Sequence, residues 1–180
     1  VNNYQSYYVE QVMLDVINDL VEKKGYQRSY ARQVVTLQGI KIYTPMEIKI
    51  QDRLEEQFET MKAFPTVNGA VSPQSAMAIV GLNGHVQALV GGLGEKKGDL
   101  LFNRATAALR QPGSTMKPIA VYAPALEENV INLSSYIGNA QIKIGSWTPK
   151  NSNGKYSNYV PVKTAVAWSY NIPAINTLQA

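Results

Sequence analysis

Apolar residues recur at helical spacing close to the N-terminus. Over residues 4 to 22, Tyr8, Val12, Val16 and Leu20 form one file, Val9, Met13, Ile17 and Leu20 its neighbour, and Gly25 supplies a stop. This pattern predicts an amphipathic helix. Residues 26 to 38 are polar and basic, with Arg28, Arg32 and Gln33, and end on Val34-Val35, the composition of a short linker or strand edge. A strand is expected at 39 to 44, then a helix from Pro45 to about Met61. On that helix Ile48, Ile50, Leu54, Phe58 and Met61 define the buried side, and Glu55, Glu56 and Glu59 the solvated one.

Residues 75 to 91 change period. Two short apolar runs, Ser75 to Leu82 and His85 to Gly91, flank Asn83-Gly84, the favoured dipeptide of a two-residue hairpin turn. The glycine-rich stretch from Gly91 to Leu101 reads as a mobile surface loop. It lacks the Gly-Lys-Ser/Thr spacing that a phosphate-binding loop requires. Pro112-Gly113 breaks the chain, and a helix is expected from about Gly113. Ala120, Val121, Ala123, Ala125 and Leu126 make it apolar on most sides, as in a core helix, with Pro124 kinking or shortening it. Val162 to Trp168 reads as another helix, and Pro173 opens a last one through Leu178. The stretch 145 to 161, with Trp147, Tyr156 and Tyr159 among Asn, Ser and Gly, suits the lining of a glycan or peptide cleft as well as an ordinary loop.

Composition narrows the classes. Hydrophobic residues make up 45% of the 180 and can build a core, whereas 17% charged is low for a stand-alone soluble domain. The net charge of +4 is mild, and the chain has no Lys/Arg cluster of the kind that binds nucleic acid. The absence of cysteine excludes disulfides and thiol chemistry. The single histidine, His85, sits beside the predicted turn and reads as an exposed strand-end residue, which disfavours a Ser-His-Asp triad. Neither metal-ligand spacing nor a run of 18 apolar residues occurs.

The chemistry concentrates in Arg110-Gln111-Pro112-Gly113-Ser114-Thr115-Met116-Lys117-Pro118. Ser114 and Lys117 stand at i, i+3, so a helix starting near Gly113 projects both from one face of its first turn. A serine hydroxyl becomes a useful nucleophile when a neighbouring base takes its proton. A lysine amine serves as that base when burial or nearby positive charge lowers its pKa. The helix N-terminus adds N–H groups suited to an oxyanion. Further along, Ser169-Tyr170-Asn171 falls between two predicted helices. A hydroxyl and an amide there can relay a proton and hold a peptide carbonyl. Alternatively, Ser169 caps the last helix and Asn171 occupies a turn.

Ser-x-x-Lys followed by Ser-x-Asn resembles the signature of penicillin-binding proteins and serine β-lactamases. The flanks sharpen the likeness. Phe102-Asn103-Arg104-Ala105-Thr106 ahead of the nonapeptide, Ser72-Pro73-Gln74-Ser75-Ala76-Met77-Ala78-Ile79-Val80, Ala88-Leu89-Val90-Gly91-Gly92 and Gly39-Ile40-Lys41-Ile42-Tyr43-Thr44 are similar to the transpeptidase domain of class A (bifunctional) penicillin-binding proteins. The resemblance covers about residues 39 to 180.

It implies an α/β penicillin-recognising (serine β-lactamase-like) transpeptidase fold. A sheet holding the 39 to 44 strand and the 75 to 91 hairpin would back onto helices, the Ser114 helix central among them. It also implies roles by position. Ser114 is the nucleophile, acylated by the D-Ala-D-Ala end of a peptidoglycan stem peptide or by a β-lactam. Lys117 is its base, and Ser169 shuttles the proton to the leaving amine. Asn171 binds the acyl amide and positions Lys117, and the Ser114 N–H supplies half of an oxyanion hole. No cofactor and no metal is implied.

The family's third motif, Lys-Thr-Gly, does not occur in the chain, and Lys163-Thr164-Ala165, which precedes Ser-x-Asn, is no substitute. The expectation is therefore an incomplete domain. Residues 1 to 38 would be a connector from an absent glycosyltransferase domain, and 39 to 180 the N-terminal part of a D,D-transpeptidase domain. The remaining part of that domain would be a partner. The parent protein would act on the extracytoplasmic side of a bacterial membrane, held by an N-terminal helix absent from this chain. The implied activity is that of a serine-type D-Ala-D-Ala transpeptidase/carboxypeptidase. A β-lactamase, a β-lactam sensor and a catalytically silent scaffold are the alternatives on the same fold.

Overall fold

The computed structural model describes residues 4–62, 64–71 and 74–180, and the chain divides into two compact units, 1–109 and 110–180. Ser72 and Pro73, which belong to one stretch of the resemblance, lie outside the described residues.

In the first unit, α1 (Tyr7–Lys24) begins where Ser6 Oγ accepts the Val9 N–H at 3.1 Å and ends at Gly25, whose φ of 69° is left-handed. Tyr8, Ile17 and the carboxylate-bearing Glu10 are its buried residues. Residues 28–37 form a second helix, α2 (Arg28–Leu37), rather than a linker or strand edge. Ala31 and Val34 sit one turn apart and are buried, while Arg28 and Arg32 face solvent. Helical period outweighs the strand preference of the Val pair.

The expected strand at 39 to 44 does not form. This segment carries no ladder; just beyond it, the Glu47 N–H donates to Gln87 O at 2.9 Å. Helix α3 (Ile48–Thr60) follows, burying Leu54, Phe58 and Gln51 and leaving Ile48 65% exposed. The buried glutamine has a clear cause. Its Nε2 donates to Leu89 O at 3.0 Å and its Oε1 accepts the Leu89 N–H at 2.8 Å. A single side-chain amide thus pairs the open edge of a strand as a neighbouring strand would. Glu55 is half-buried beside it rather than fully solvated. Burial raises its carboxyl pKa against the opposing effect of a 2.7 Å hydrogen bond from Gln51.

Strands β1 (Thr66–Val67) and β2 (Ala70–Val71) pair across Asn68-Gly69, both at positive φ (52° and 78°), a two-residue hairpin turn. Strands β3 (Met77–Val80) and β4 (Val86–Val90) pair antiparallel as expected, with a bulge opposite Ile79/Val80. Their turn is one residue longer than Asn83-Gly84 predicts. The Gly81 N–H donates to His85 O, the Gly84 N–H returns to Gly81 O, and only Gly84 (φ 81°) is left-handed. Ala88 and Val90 join Leu54 and Phe58 in this unit's core.

The loop after β4 is pinned rather than mobile. Glu10 Oε1 accepts from Lys96 Nζ at 2.8 Å and from the Leu100 N–H at 2.6 Å, and the pair is almost wholly buried. Lys96 also donates to Gly98 O at 2.5 Å, and the Gly94 N–H donates to Phe58 O at 2.9 Å. Gly91 has no room for a Cβ, which would meet Asn103 Cα and Tyr7 Cδ1 at 2.8 Å each.

In the second unit the helix expected from Gly113 is composite. A 3₁₀ turn (Gly113–Met116) leads into a π-helical turn (Pro118–Tyr122) and then α4 (Ala123–Glu127). Pro118 and Pro124 remove donors from the α ladder, and widened turns of this kind are frequent at functional sites. Only Tyr122 and Ala125 of this run are buried, and Ile119 is 69% exposed, so it is not the all-round core helix its composition suggests. Strands β5 (Tyr136–Asn139) and β6 (Ser157–Pro161) form an antiparallel ladder in a region the pattern left irregular. Helices α5 (Val162–Ala167) and α6 (Asn171–Gln179) close the chain. Tyr122, Ala125, Ile131, Ile137, Val162 and Ala174 make the core. The fold is thus α/β, and among the described residues every ladder is antiparallel.

Candidate active site

Ser114 and Lys117 occupy one 3₁₀ turn and its cap. Three residues per turn stack i over i+3, so both side chains leave the same side. Gly113, at φ 55°, supplies the left-handed entry. Ser114 is exposed, and its hydroxyl makes no hydrogen bond among the described residues. Lys117 is half-buried.

Between α5 and α6 the chain turns through Ser169, whose φ of 51° is left-handed and rare for a residue with a Cβ. The turn is held at both ends of a Schellman pair. The Ser169 N–H donates to Val166 O at 3.0 Å and the Tyr170 N–H to Ala165 O at 2.9 Å. Glycine usually takes this position, and serine there costs about 1–2 kcal/mol of backbone strain.

The outcome of that turn is that Ser169 and Asn171 meet Lys117. Lys117 Nζ donates to Ser169 O at 2.7 Å, to Asn171 Oδ1 at 2.6 Å and to Ser169 Oγ at 3.3 Å. Two of these acceptors, a carbonyl and an amide oxygen, can never donate. A neutral lysine must therefore spend its two N–H bonds on them, which leaves its lone pair for a hydroxyl. Burial lowers the Lys117 pKa, favouring that neutral form. The amide of Asn171 is oriented in turn, since its Nδ2 donates to Lys150 O at 2.7 Å.

Ser169 does not cap α6. The cap position is Tyr170, with no capping side chain, and the acceptor comes from elsewhere: Asn151 Oδ1 takes the N–H groups of Asn171 and Ile172 at 2.9 and 3.0 Å. Sequence reasoning singled out neither Asn151 nor Lys150. Their only mark is that they lie in the Asn- and aromatic-rich stretch at 145 to 161. Trp147, Thr148, Pro149 and Lys150 of that stretch line a groove of about 650 Å³ with Lys117, Asn171 and α6. Tyr159 is instead a strand residue, 68% exposed. His85 lies in the β3–β4 turn, exposed, with Asn83 as its neighbour. Among the described residues no His/Cys/Asp/Glu group could hold a metal ion.

Residues 74–180 match the penicillin binding protein transpeptidase domain family. The chain belongs to that family, whose proteins act in peptidoglycan synthesis. It is 29% identical to penicillin-binding protein 1A of Clostridium tetani and 33% identical to penicillin-binding protein 1F of Bacillus subtilis, over 96% and 94% of its length. It spans about a quarter of the length of these relatives (23% of each). Among solved structures it resembles the penicillin-binding protein PonA1 of Mycobacterium tuberculosis, with a TM-score of 0.65 and 24% identity, covering 92% of this chain and 39% of that one. That likeness concerns the fold. PonA1 has also been solved in complex with penicillin V.

Proposed function

We propose that this chain carries the nucleophile and base of a peptidoglycan D,D-transpeptidase. The observation that carries the reading is the set of hydrogen bonds from Lys117 Nζ to Ser169 and Asn171, one turn from the free hydroxyl of Ser114. Ser114 Oγ attacks the carbonyl of the penultimate D-Ala and passes its proton to neutral Lys117. The oxyanion forms near the Ser114 N–H, at a helix start where N–H groups lack intrahelical partners. The C–N bond then breaks, and the proton reaches the departing D-Ala amine through Ser169. An acceptor amine next attacks the acyl-enzyme, restoring an amide and returning the proton to Ser114 by the same route. Asn171 keeps one amide N–H free of Lys150, enough to hold the substrate's acyl carbonyl while its Oδ1 holds Lys117. A β-lactam enters the same cycle and stalls at the acyl stage.

In this reading residues 39 to 180 form the N-terminal part of the transpeptidase domain, completed by a segment bearing Lys-Thr-Gly, and residues 1 to 38 lead from a glycosyltransferase domain. The protein works outside the cytoplasmic membrane. The reading places a membrane anchor in an N-terminal helix of the parent protein; no helix among the described residues is long and apolar enough to cross a membrane.

The test is intact-protein mass spectrometry of the full protein with benzylpenicillin, alongside Ser114→Ala. A stoichiometric adduct lost in the variant is expected. A wild-type protein that carries the Lys-Thr-Gly segment and forms no adduct would overturn the reading in favour of a silent scaffold. Rapid release of hydrolysed penicillin would point to a β-lactamase. A stable adduct without any turnover of a D-Ala-D-Ala peptide would point to a sensor.

A further inference from the structure

Asn151 is buried to 3% exposure, yet it is polar on a segment of irregular chain. Every hydrogen-bonding capacity of its side chain is used. Oδ1 accepts from the Asn171 and Ile172 N–H groups, and Nδ2 donates to Asn139 Oδ1 at 2.7 Å and to Lys155 O at 2.8 Å. The donors on one side and acceptors on the other allow only one orientation of the amide. Asn139, 2% exposed at the end of β5, passes the constraint on through Nδ2 to Ser157 Oγ at 3.1 Å, and that hydroxyl donates to Tyr159 O at 2.9 Å. The first N–H groups of α6 are thereby tied to the β5–β6 ladder. The carbonyl of the preceding residue, Lys150, holds the Asn171 side-chain amide at the same time.

We propose that Asn151 is a positioning residue for the Ser-x-Asn turn: by holding the first N–H groups of α6 while Lys150 O orients the Asn171 amide, it sets Asn171 Oδ1 on Lys117 and so sets the aim and the surroundings of the base. The inference rests on the reading of Lys117 as the base for Ser114. A helix of this length needs its first donors satisfied, and its own cap position supplies no side chain for them. Without Asn151 the start of α6 frays. Asn171 leaves Lys117, water enters, and the desolvation that lowers the Lys117 pKa is relieved.

The experiment uses the full protein labelled with [ε-13C]lysine, with the Lys117 resonance assigned by Lys117→Arg. The Lys117 titration and the rate of acylation by a fluorescent penicillin against pH are measured for wild type, Asn151→Ala and Asn151→Asp. In Asn151→Ala the Lys117 pKa is expected to rise toward the ordinary lysine value, and acylation at neutral pH to fall by about 10²-fold, as for a misplaced catalytic group. Its pH–rate limb should move to higher pH in step. Asn151→Asp keeps an acceptor for the two N–H groups and should recover part of the rate. Thermal unfolding alone does not decide, because a purely structural residue would also lower it. Unchanged Lys117 titration in folded Asn151→Ala overturns the proposal whatever happens to the rate. If Asn151→Ala does not fold, Asn139→Ala, which frees the Asn151 amide to rotate, is read in the same way and must shift Lys117 in the same direction. A wild-type protein that resists acylation would defeat the transpeptidase reading, while the Lys117 titration would still decide the role of Asn151.

Discussion

Lys117 and Asn171 are 54 positions apart in sequence and 2.6 Å apart at Nζ and Oδ1. The contact decides what kind of lysine this is. An ammonium on a surface would be hydrated and of no use as a base near neutral pH. Here, two acceptors that cannot donate, on Ser169 and Asn171, fix the amine's N–H bonds, and burial lowers its pKa. The contacts set the amine's direction, and burial favours its neutral form.

The first consequence concerns pH. With Lys117 as the proposed base for Ser114, acylation rises with pH through the Lys117 pKa, and burial places that rise below the ordinary lysine value of 10.5. The folded state binds this proton less tightly than the unfolded chain does, so Lys117 contributes more to stability as pH rises toward 10.5. Lys117→Met should remove the rising limb and nearly all acylation. A pH–rate profile of penicillin acylation checks both, and a limb centred at the ordinary value would refute the burial argument.

A second expectation concerns the first unit alone. Gln51→Leu keeps the bulk of the side chain but strands the Leu89 N–H and C=O, both of which Gln51 now pairs. Leaving a buried backbone group unsatisfied costs about 1–3 kcal/mol, so with two stranded groups a loss of at least about 2 kcal/mol is expected. Urea unfolding of the variant measures it, and a neutral result would mean that water reaches this strand edge.

The Glu10–Lys96 pair offers a double-mutant cycle. With side chains only 7% and 12% exposed, removing Glu10 leaves a buried ammonium and an unpaired Leu100 N–H. Glu10→Met should cost about 3–5 kcal/mol. Glu10→Met combined with Lys96→Met should cost much less, because neither charge remains to be desolvated. Additive losses would show that the pair is not coupled.

Tyr122 points the other way. It is 4% exposed within the core of the second unit, and its hydroxyl has no hydrogen-bond partner among the described residues. Burial accordingly raises its phenol pKa. Tyr122→Phe deletes a group that pays for desolvation and gains nothing, so stability should stay level or rise by about 1 kcal/mol. A drop in the unfolding midpoint would reveal a partner for the hydroxyl.

Much of this molecule is decided locally and could be read along the chain. The 3.6-residue period of α1, its Gly25 stop, the β3–β4 hairpin and the break at Pro112-Gly113 all follow from side-chain period and backbone permission. So does the choice of Ser114, Lys117, Ser169 and Asn171 as the residues to watch, since motif spacing is a property of sequence. Other features depend on partners far away in the chain, and local pattern was silent or misleading there. The 39 to 44 segment has strand composition but finds no ladder. Residues 28–37 look polar but bury Ala31 and Val34 once α1 lies against them. Gln51 is core because a strand edge needs its amide. Asn151 is the sharpest case: one Asn among several in a polar stretch, it becomes distinct only when folding brings the first turn of α6 to its oxygen. Sequence by itself determined which residues stand as candidates for acyl transfer, through the spacing of two short motifs. Only the tertiary structure decided which buried amides hold them in place, because a hydrogen bond across 20 or 54 residues leaves no period in the chain that makes it.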